Sequence, residues 1–234
     1  MMVCGNNTVN SKGKLVYDPE TLKPLETGLR NEDFCVHKTP VTALGTIWHI
    51  NQFIVAIGCQ NGEVTVVVYE SEALEHKKTL KIMLDGPISS IILFEIETEI
   101  VDLLVVSAVG YSIVFRDIMQ FEFEKRVLIR PKSFDSLTCA VTADVDFDGQ
   151  KEVIIGCFSK EVYCYKIRSG GAEELWKIEL MTPIFCLCDI DINKDGVNEL
   201  VVVSMFGLSI FVPSHELALK KLQGVRRYLE GGVE

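Results

Sequence analysis

Four stretches of this chain repeat one pattern, and their spacing constrains the fold more tightly than anything else in the sequence. Each is a β-rich run closed by a small residue: "FIVAIG" at Gly58, "DLLVVS" at Ser107, "EVIIG" at Gly156 and "ELVVVS" at Ser204. The intervals are 49, 49 and 48 residues. After each comes a short turn and a second run: "EVTVVVY", "YSIVF", "EVYCY" and "LSIFV". Before each comes a third: "VTALGTIWHI", "ISSIILFEI", "LTCAVTADV" and "IFCLCDIDI". A fourth, more polar run is weaker, as in "EELWKIEL" (Glu173 to Leu180). Short strands, roughly four per unit, at one fixed period predict an all-β chain built of β-propeller blades. A β-sandwich also has many short strands, but the constant period favours the propeller.

Propellers usually close with about four to eight blades. Four units and an orphan strand, "MVCGN", predict an incomplete ring that begins mid-blade, as in a C-terminal portion or short isoform of a longer protein. The expected units are a partial blade over 1–36, then 37–83, 84–130, 131–172 and 173–213. Residues 10–36, polar and holding Pro19 and Pro24, read as turns and loop. Residues 214–230 read as a helix within a 214–234 tail. Pro213 precedes it, Ser214 caps it, and Leu219, Leu222, Val225 and Leu229 form an apolar stripe. Its basic residues, Lys220, Lys221, Arg226 and Arg227, are either a solvated face or a partner-binding one.

A net charge of −10 argues against general binding to nucleic acid or anionic membrane, which favour a basic face. No apolar run is long enough to span a bilayer as a helix, and the start has no signal-peptide pattern. Eight cysteines include no CxxC pair. Cys139, Cys157, Cys164, Cys186 and Cys188 lie in apolar runs; Cys186 and Cys188, two apart on one strand face, read as small buried hydrophobes, and the chain as reduced and cytoplasmic. Trp48 and Trp176 read as core or blade-interface residues. His37, His49, His76 and His215 are scattered, and no nucleophile, P-loop or dinucleotide motif is present, so no catalytic residue is assigned.

Two loops carry the densest chemistry. In "ADVDFDGQKEVIIG", Asp144, Asp146 and Asp148 alternate before Gly149, and Glu152 follows. In "DIDINKDGVNELVVVS", Asp191, Asn193, Asp195, Gly196 and Glu199 fall at the same offsets. An EF-hand is excluded, because its twelfth position would be Ile155 or Val202 and the flanks are strands. Two readings stay open. The oxygens hold calcium, or the aspartates accept backbone N–H bonds and shape the turn unaided. Neither version of the loop is catalytic, since ligands that pin a turn leave no open position.

The pattern D-x-[DN]-x-D-G-x-x-[DE] before a β-run resembles the FG-GAP repeat of integrin α-subunit propellers. That resemblance implies a loop joining two strands of a blade and able to hold calcium. Glu152 and Glu199 stand where that family usually has aspartate, and the longer stem is expected to shift the ligand outward. The first two units lack the acidic triad.

Longer strings resemble the kaptin family: "LDGPISSIILF", "VVSAVGYSIVFRDIM", "SFDSLTCAVTADVDFDGQKEVIIGCFSKEVYCYKIR" and "DGVNELVVVSMFGLSIF". This resemblance implies a non-catalytic scaffold subunit of KICSTOR. That assembly works at the lysosomal surface, recruits the GATOR GTPase-activating complex and restrains mTOR signalling when nutrients are scarce. It also implies an association with F-actin at the cell edge, for which the basic segment from Lys220 to Arg227 is the candidate contact. A calcium-dependent adhesion module is the third reading, opposed by the missing signal pattern and by the cysteine usage.

Overall fold

A computed structural model of the chain describes residues 2–3, 16–17, 24–25, 39–70, 75–97, 100–133, 135–214, 216 and 219. Strands β1 (Met2–Val3), β2 (Val16–Tyr17) and β3 (Pro24–Leu25) form a short antiparallel sheet. Parts of the segment expected to be loop therefore pair, and Pro24, which has no N–H to give, lies on an edge strand. The first full sheet comprises β4 (Val41–His49), β5 (Gln52–Cys59), β6 (Glu63–Glu70) and β7 (Glu75–Met83). The second comprises β8 (Ile88–Glu97), β9 (Ile100–Ser107), β10 (Tyr111–Phe115) and β11 (Arg126–Ile129), with one helical turn, α1 (Ile118–Phe121), before its last strand.

The third sheet comprises β12 (Leu137–Ala143), β13 (Glu152–Cys157), β14 (Glu161–Arg168) and β15 (Gly171–Glu179). It ends at Glu179 rather than at residue 172, because the polar run around Trp176 hydrogen-bonds back onto β14. The last sheet has three strands among the described residues: β16 (Ile184–Ile190), β17 (Glu199–Ser204) and β18 (Gly207–Phe211). Each sheet is an antiparallel meander in chain order. The first strand of each full sheet packs against the first strand of the next, β4 on β8, β8 on β12 and β12 on β16. That succession of meanders is a β-propeller, and it forms an open arc among the described residues.

The core lies between successive sheets. Ile54, Val66 and Leu80 meet Leu103, Val105 and Phe115 in the first seam. Leu104 and Val114 meet Ile155 and Tyr163 in the second. Ile154 and Cys164 meet Ile184 and Val202 in the third. The small residues that close the repeated runs make these seams possible. A Cβ on Gly58 would lie 2.5 Å from Ile88 Cγ2, and one on Gly156 would lie 2.7 Å from Ile184 Cγ2. Ile88 and Ile184 are the first residues of the next sheets, so glycine here admits the neighbouring sheet rather than a turn. Thr138 Oγ1 adds a bond across the third seam to the Ile184 carbonyl at 2.6 Å.

The two ends of the arc explain where side chains depart from expectation. Cys59, Cys139, Cys157 and Cys164 are buried, but Cys186 and Cys188, expected to be buried, are exposed. They alternate along β16 on the face that no described sheet covers, which Val203, Leu208 and Ile210 share. Trp48 is likewise 56% exposed, on the outer face of the first full sheet, with its ring 4.8 Å from that of Phe53 and tilted by 37° to it. Trp176 does pack against the third seam. No helix among the described residues is long and apolar enough to cross a membrane.

Candidate functional site

Both acidic loops join the first and second strands of their sheets, and their left-handed backbone positions coincide. Phe147 and Lys194 have φ of 58° and 62°, and Gly149 and Gly196 have φ of 90° and 89°. The glycine is needed at the second of these left-handed positions because a Cβ is strained there. The aspartates supply the acceptors that hold this path. Gly149 N donates to Asp144 Oδ2 (3.0 Å), Asp148 N to Asp146 Oδ1 (3.2 Å) and Gln150 N to Asp148 Oδ1 (2.9 Å). In the second loop Gly196 N donates to Asp191 Oδ2 (2.9 Å), Asp195 N to Asn193 Oδ1 (2.8 Å) and Val197 N to Asp195 Oδ1 (2.9 Å).

The glutamates close the loops from below. They do not shift outward: Glu152 and Glu199 are 0% and 3% exposed. Glu152 Oε2 accepts from Val145 N at 2.9 Å and Glu199 Oε2 accepts from Ile192 N at 2.8 Å. The longer stem is accommodated because it turns inward under the loop.

The two centres differ in what neutralises them. In the first, Lys166 reaches from β14 with its side chain 4% exposed. Its Nζ lies 2.5 Å from Asp146 Oδ2, 2.5 Å from Asp148 Oδ2 and 3.1 Å from Glu152 Oε1. Burial pulls the Lys166 ammonium down, but the three carboxylates outweigh it and hold the group above its ordinary value. The Lys166 hydrogen bond holds the Asp148 carboxyl below its ordinary value, while burial pushes Glu152 up against the Val145 N–H and the lysine. In the second loop the Asn193 side-chain amide does this work, donating to Asp195 Oδ2 and Glu199 Oε1 at 2.9 Å each. Among the described residues no basic side chain pairs with Asp191, Asp195 or Glu199.

This bears on calcium. Asp144, Asp146 and Glu152 offer oxygens within 4.8 Å of one another, a spacing a cation accepts. In the first loop an ammonium already sits among these carboxylates. The second keeps an oxygen-rich donor set of the kind calcium takes.

Lys166 was not singled out from the sequence, although a signal exists. It falls two and four residues after Cys164 and Val162, on their buried face of an apolar strand. The second sheet holds a related pair that the missing acidic triad concealed. Asp102, fully buried at the head of β9, pairs with Arg116 Nε at 2.6 Å and accepts from Asp117 N at 2.8 Å. The third and fourth sheets also bound a groove of about 490 Å³ that includes Asp144, Lys151, Trp176, Asn198 and Phe211 in its walls. Lys220, Lys221, Arg226 and Arg227 lie outside the described residues.

A family model described as "KICSTOR complex protein kaptin" matches residues 31–223. The KICSTOR complex protein kaptin of Mus musculus is 32% identical over an alignment of 193 residues that covers 74% of this chain and 45% of that protein. The chain thus spans less than half the length of this relative. Among solved structures, the Dos1 propeller superposes with a TM-score of 0.57 at 11% identity, over 85% of this chain and 48% of that one. BBS1N, crystallised in complex with ARL6DN, gives 0.56 at 15% identity, over 85% and 55%. At these identities the two structures speak to the fold alone.

Proposed function

The chain belongs to the kaptin family, and on that premise we propose that it acts as a non-catalytic scaffold subunit of a KICSTOR-type complex. In this reading it helps bring the GATOR GTPase-activating complex to the lysosomal surface and so restrains mTOR signalling when nutrients are scarce. The family match over residues 31–223 is the observation that carries the proposal. The physical character of the chain supports it. Stacked meanders are rigid, and both densely functionalised loops hold their own turns rather than present a nucleophile or an acid–base pair to a substrate.

The open face of the last sheet is the proposed contact. Phe206 is 82% exposed, and Leu208, Ile210 and Val212 are 60%, 49% and 60% exposed at alternate positions. Full burial of an exposed side chain of this kind is worth about 1.5–3 kcal/mol, so covering the exposed half of Leu208, Ile210 and Val212 is worth about 1 kcal/mol each. The test is recovery of KICSTOR subunits on the tagged chain from nutrient-starved cells, read by mass spectrometry. The expected result is recovery by the native chain and loss with Leu208→Asp/Ile210→Asp, whose melting temperature is checked separately. Recovery unchanged by the variant would move the contact elsewhere. Absence of KICSTOR subunits from the folded native chain would remove the proposal.

A further inference from the structure

We propose that Lys166 is a built-in replacement for a metal ion: its ammonium fills the cation seat of the 144–152 loop, which therefore takes no calcium until that lysine is removed. Three observations carry this. The ammonium touches three carboxylates at once, Asp146, Asp148 and Glu152, where a surface lysine pairs with one. Its side chain is 4% exposed, so an incoming divalent ion has to displace a charge held under the loop. The 191–199 loop supplies the internal contrast. The position one beyond the Val153–Tyr165 pair is Lys166, and the position one beyond the matching Leu200–Phe211 pair is Val212. With valine there, Asn193 turns its amide into the carboxylates instead. The same backbone path is thus held by two different donors, and in the first loop the donor carries one of the two positive charges that calcium would bring. Arg116 stands one beyond the Leu103–Phe115 pair and meets the buried Asp102. A cation supplied by the chain at this register is therefore a recurring device rather than an accident of one loop.

The test follows the Gly149 amide in proton–nitrogen correlation spectra of the full chain during titration with calcium chloride to about 10 mM, well above the weak extracellular range of calcium sites. Gly149 N–H is bonded to Asp144 and reports on this loop, and Gly196 N–H, bonded to Asp191, reports on the second loop in the same spectra, so a movement is assigned to the loop whose glycine moves further. The native chain is expected to show no saturable movement of Gly149. In Lys166→Met the signal is expected to move and saturate with a midpoint of about 0.1–1 mM, as in weak calcium modules. Where K166M folds only when calcium is present, that rescue supports the proposal equally. Should K166M fail to fold in either condition, Lys166→Met/Glu152→Gln removes the buried charge together with its partner, and Gly149 is read in that chain. Saturable movement in the native chain overturns the proposal, as does a stationary Gly149 in a folded chain lacking Lys166.

Discussion

If glycine closes the second strand of a sheet to admit the next sheet, Gly58→Ala should weaken the seam although alanine suits a strand better. The new Cβ would lie 2.5 Å from Ile88 Cγ2 and 2.8 Å from Ile88 Cβ. Resting carbon contacts are about 3.5–4.0 Å, so Ile88 must retreat by about 1 Å. Rotating its side chain relieves only the first contact, because the second involves the atom attached to the backbone. Overpacking of this kind costs about 1–3 kcal/mol, and the fixed atom argues for the upper half of that range. Alanine returns about 0.5–1 kcal/mol of the strand entropy that glycine forfeits. The net loss is about 2 kcal/mol, or roughly 4–8 °C in melting temperature for a chain of this size. Circular dichroism melts of native, Gly58→Ala, Ile88→Ala and the double variant complete a cycle. Ile88→Ala alone costs about 2–5 kcal/mol, and in its background alanine at 58 should cost at least ~1 kcal/mol less. A Gly58→Ala melt at or above the native one, or a cycle additive within about 0.5 kcal/mol, refutes the seam argument.

Two further outcomes follow from single groups. Glu161 accepts from Lys177 Nζ (2.8 Å) and Tyr163 OH (2.8 Å), and these bonds, the lysine first, bring its carboxyl down to about 2 from 4.5. A group depressed on folding contributes stability that is full above its unfolded value and is lost as pH falls from about 4.5 towards 2. The shift corresponds to about 3 kcal/mol, reduced to roughly 2 because Lys177 is 42% exposed. Glu161→Gln should therefore lower the melting temperature at pH 7 and flatten its fall through that window; parallel curves would refute the assignment. For the cysteines, burial pushes the Cys157 and Cys164 thiols up to about 12, whereas Cys186 and Cys188 are exposed. Peptide mapping after brief alkylation at pH 8 should find the latter two modified and the former two untouched until the chain unfolds.

The sequence made the fold legible through period and alternation, because each blade repeats the same burial demand. The same reasoning mispredicted Cys186, Cys188 and Trp48 for one physical cause. Alternation shows which residues share a face, not whether another sheet covers it. The third sheet's boundary slipped because the run from Gly171 to Glu179 is half polar, as an outermost strand can be. At the loops, the acceptors were readable from the spacing of Asp144, Asp146 and Asp148. Their counter-charge was not, since Lys166 lies a whole strand away and becomes a neighbour only through the β13–β14 pairing.

That pairing also bears on what the open end accepts. In the second and third sheets the position one beyond the Leu103–Phe115 or Val153–Tyr165 pair carries a cation, Arg116 or Lys166, on the face turned to the next sheet. In the last sheet it carries Val212, in line with Leu208 and Ile210 and beside an edge strand that pairs with nothing further among the described residues. A charge there would need an acid and a covering loop on the approaching surface. Three aliphatic side chains need only hydrocarbon. The surface that completes this face should therefore be apolar opposite β18, and any strand added at the β18 edge should run antiparallel to it, as every other strand in these sheets does to its neighbour.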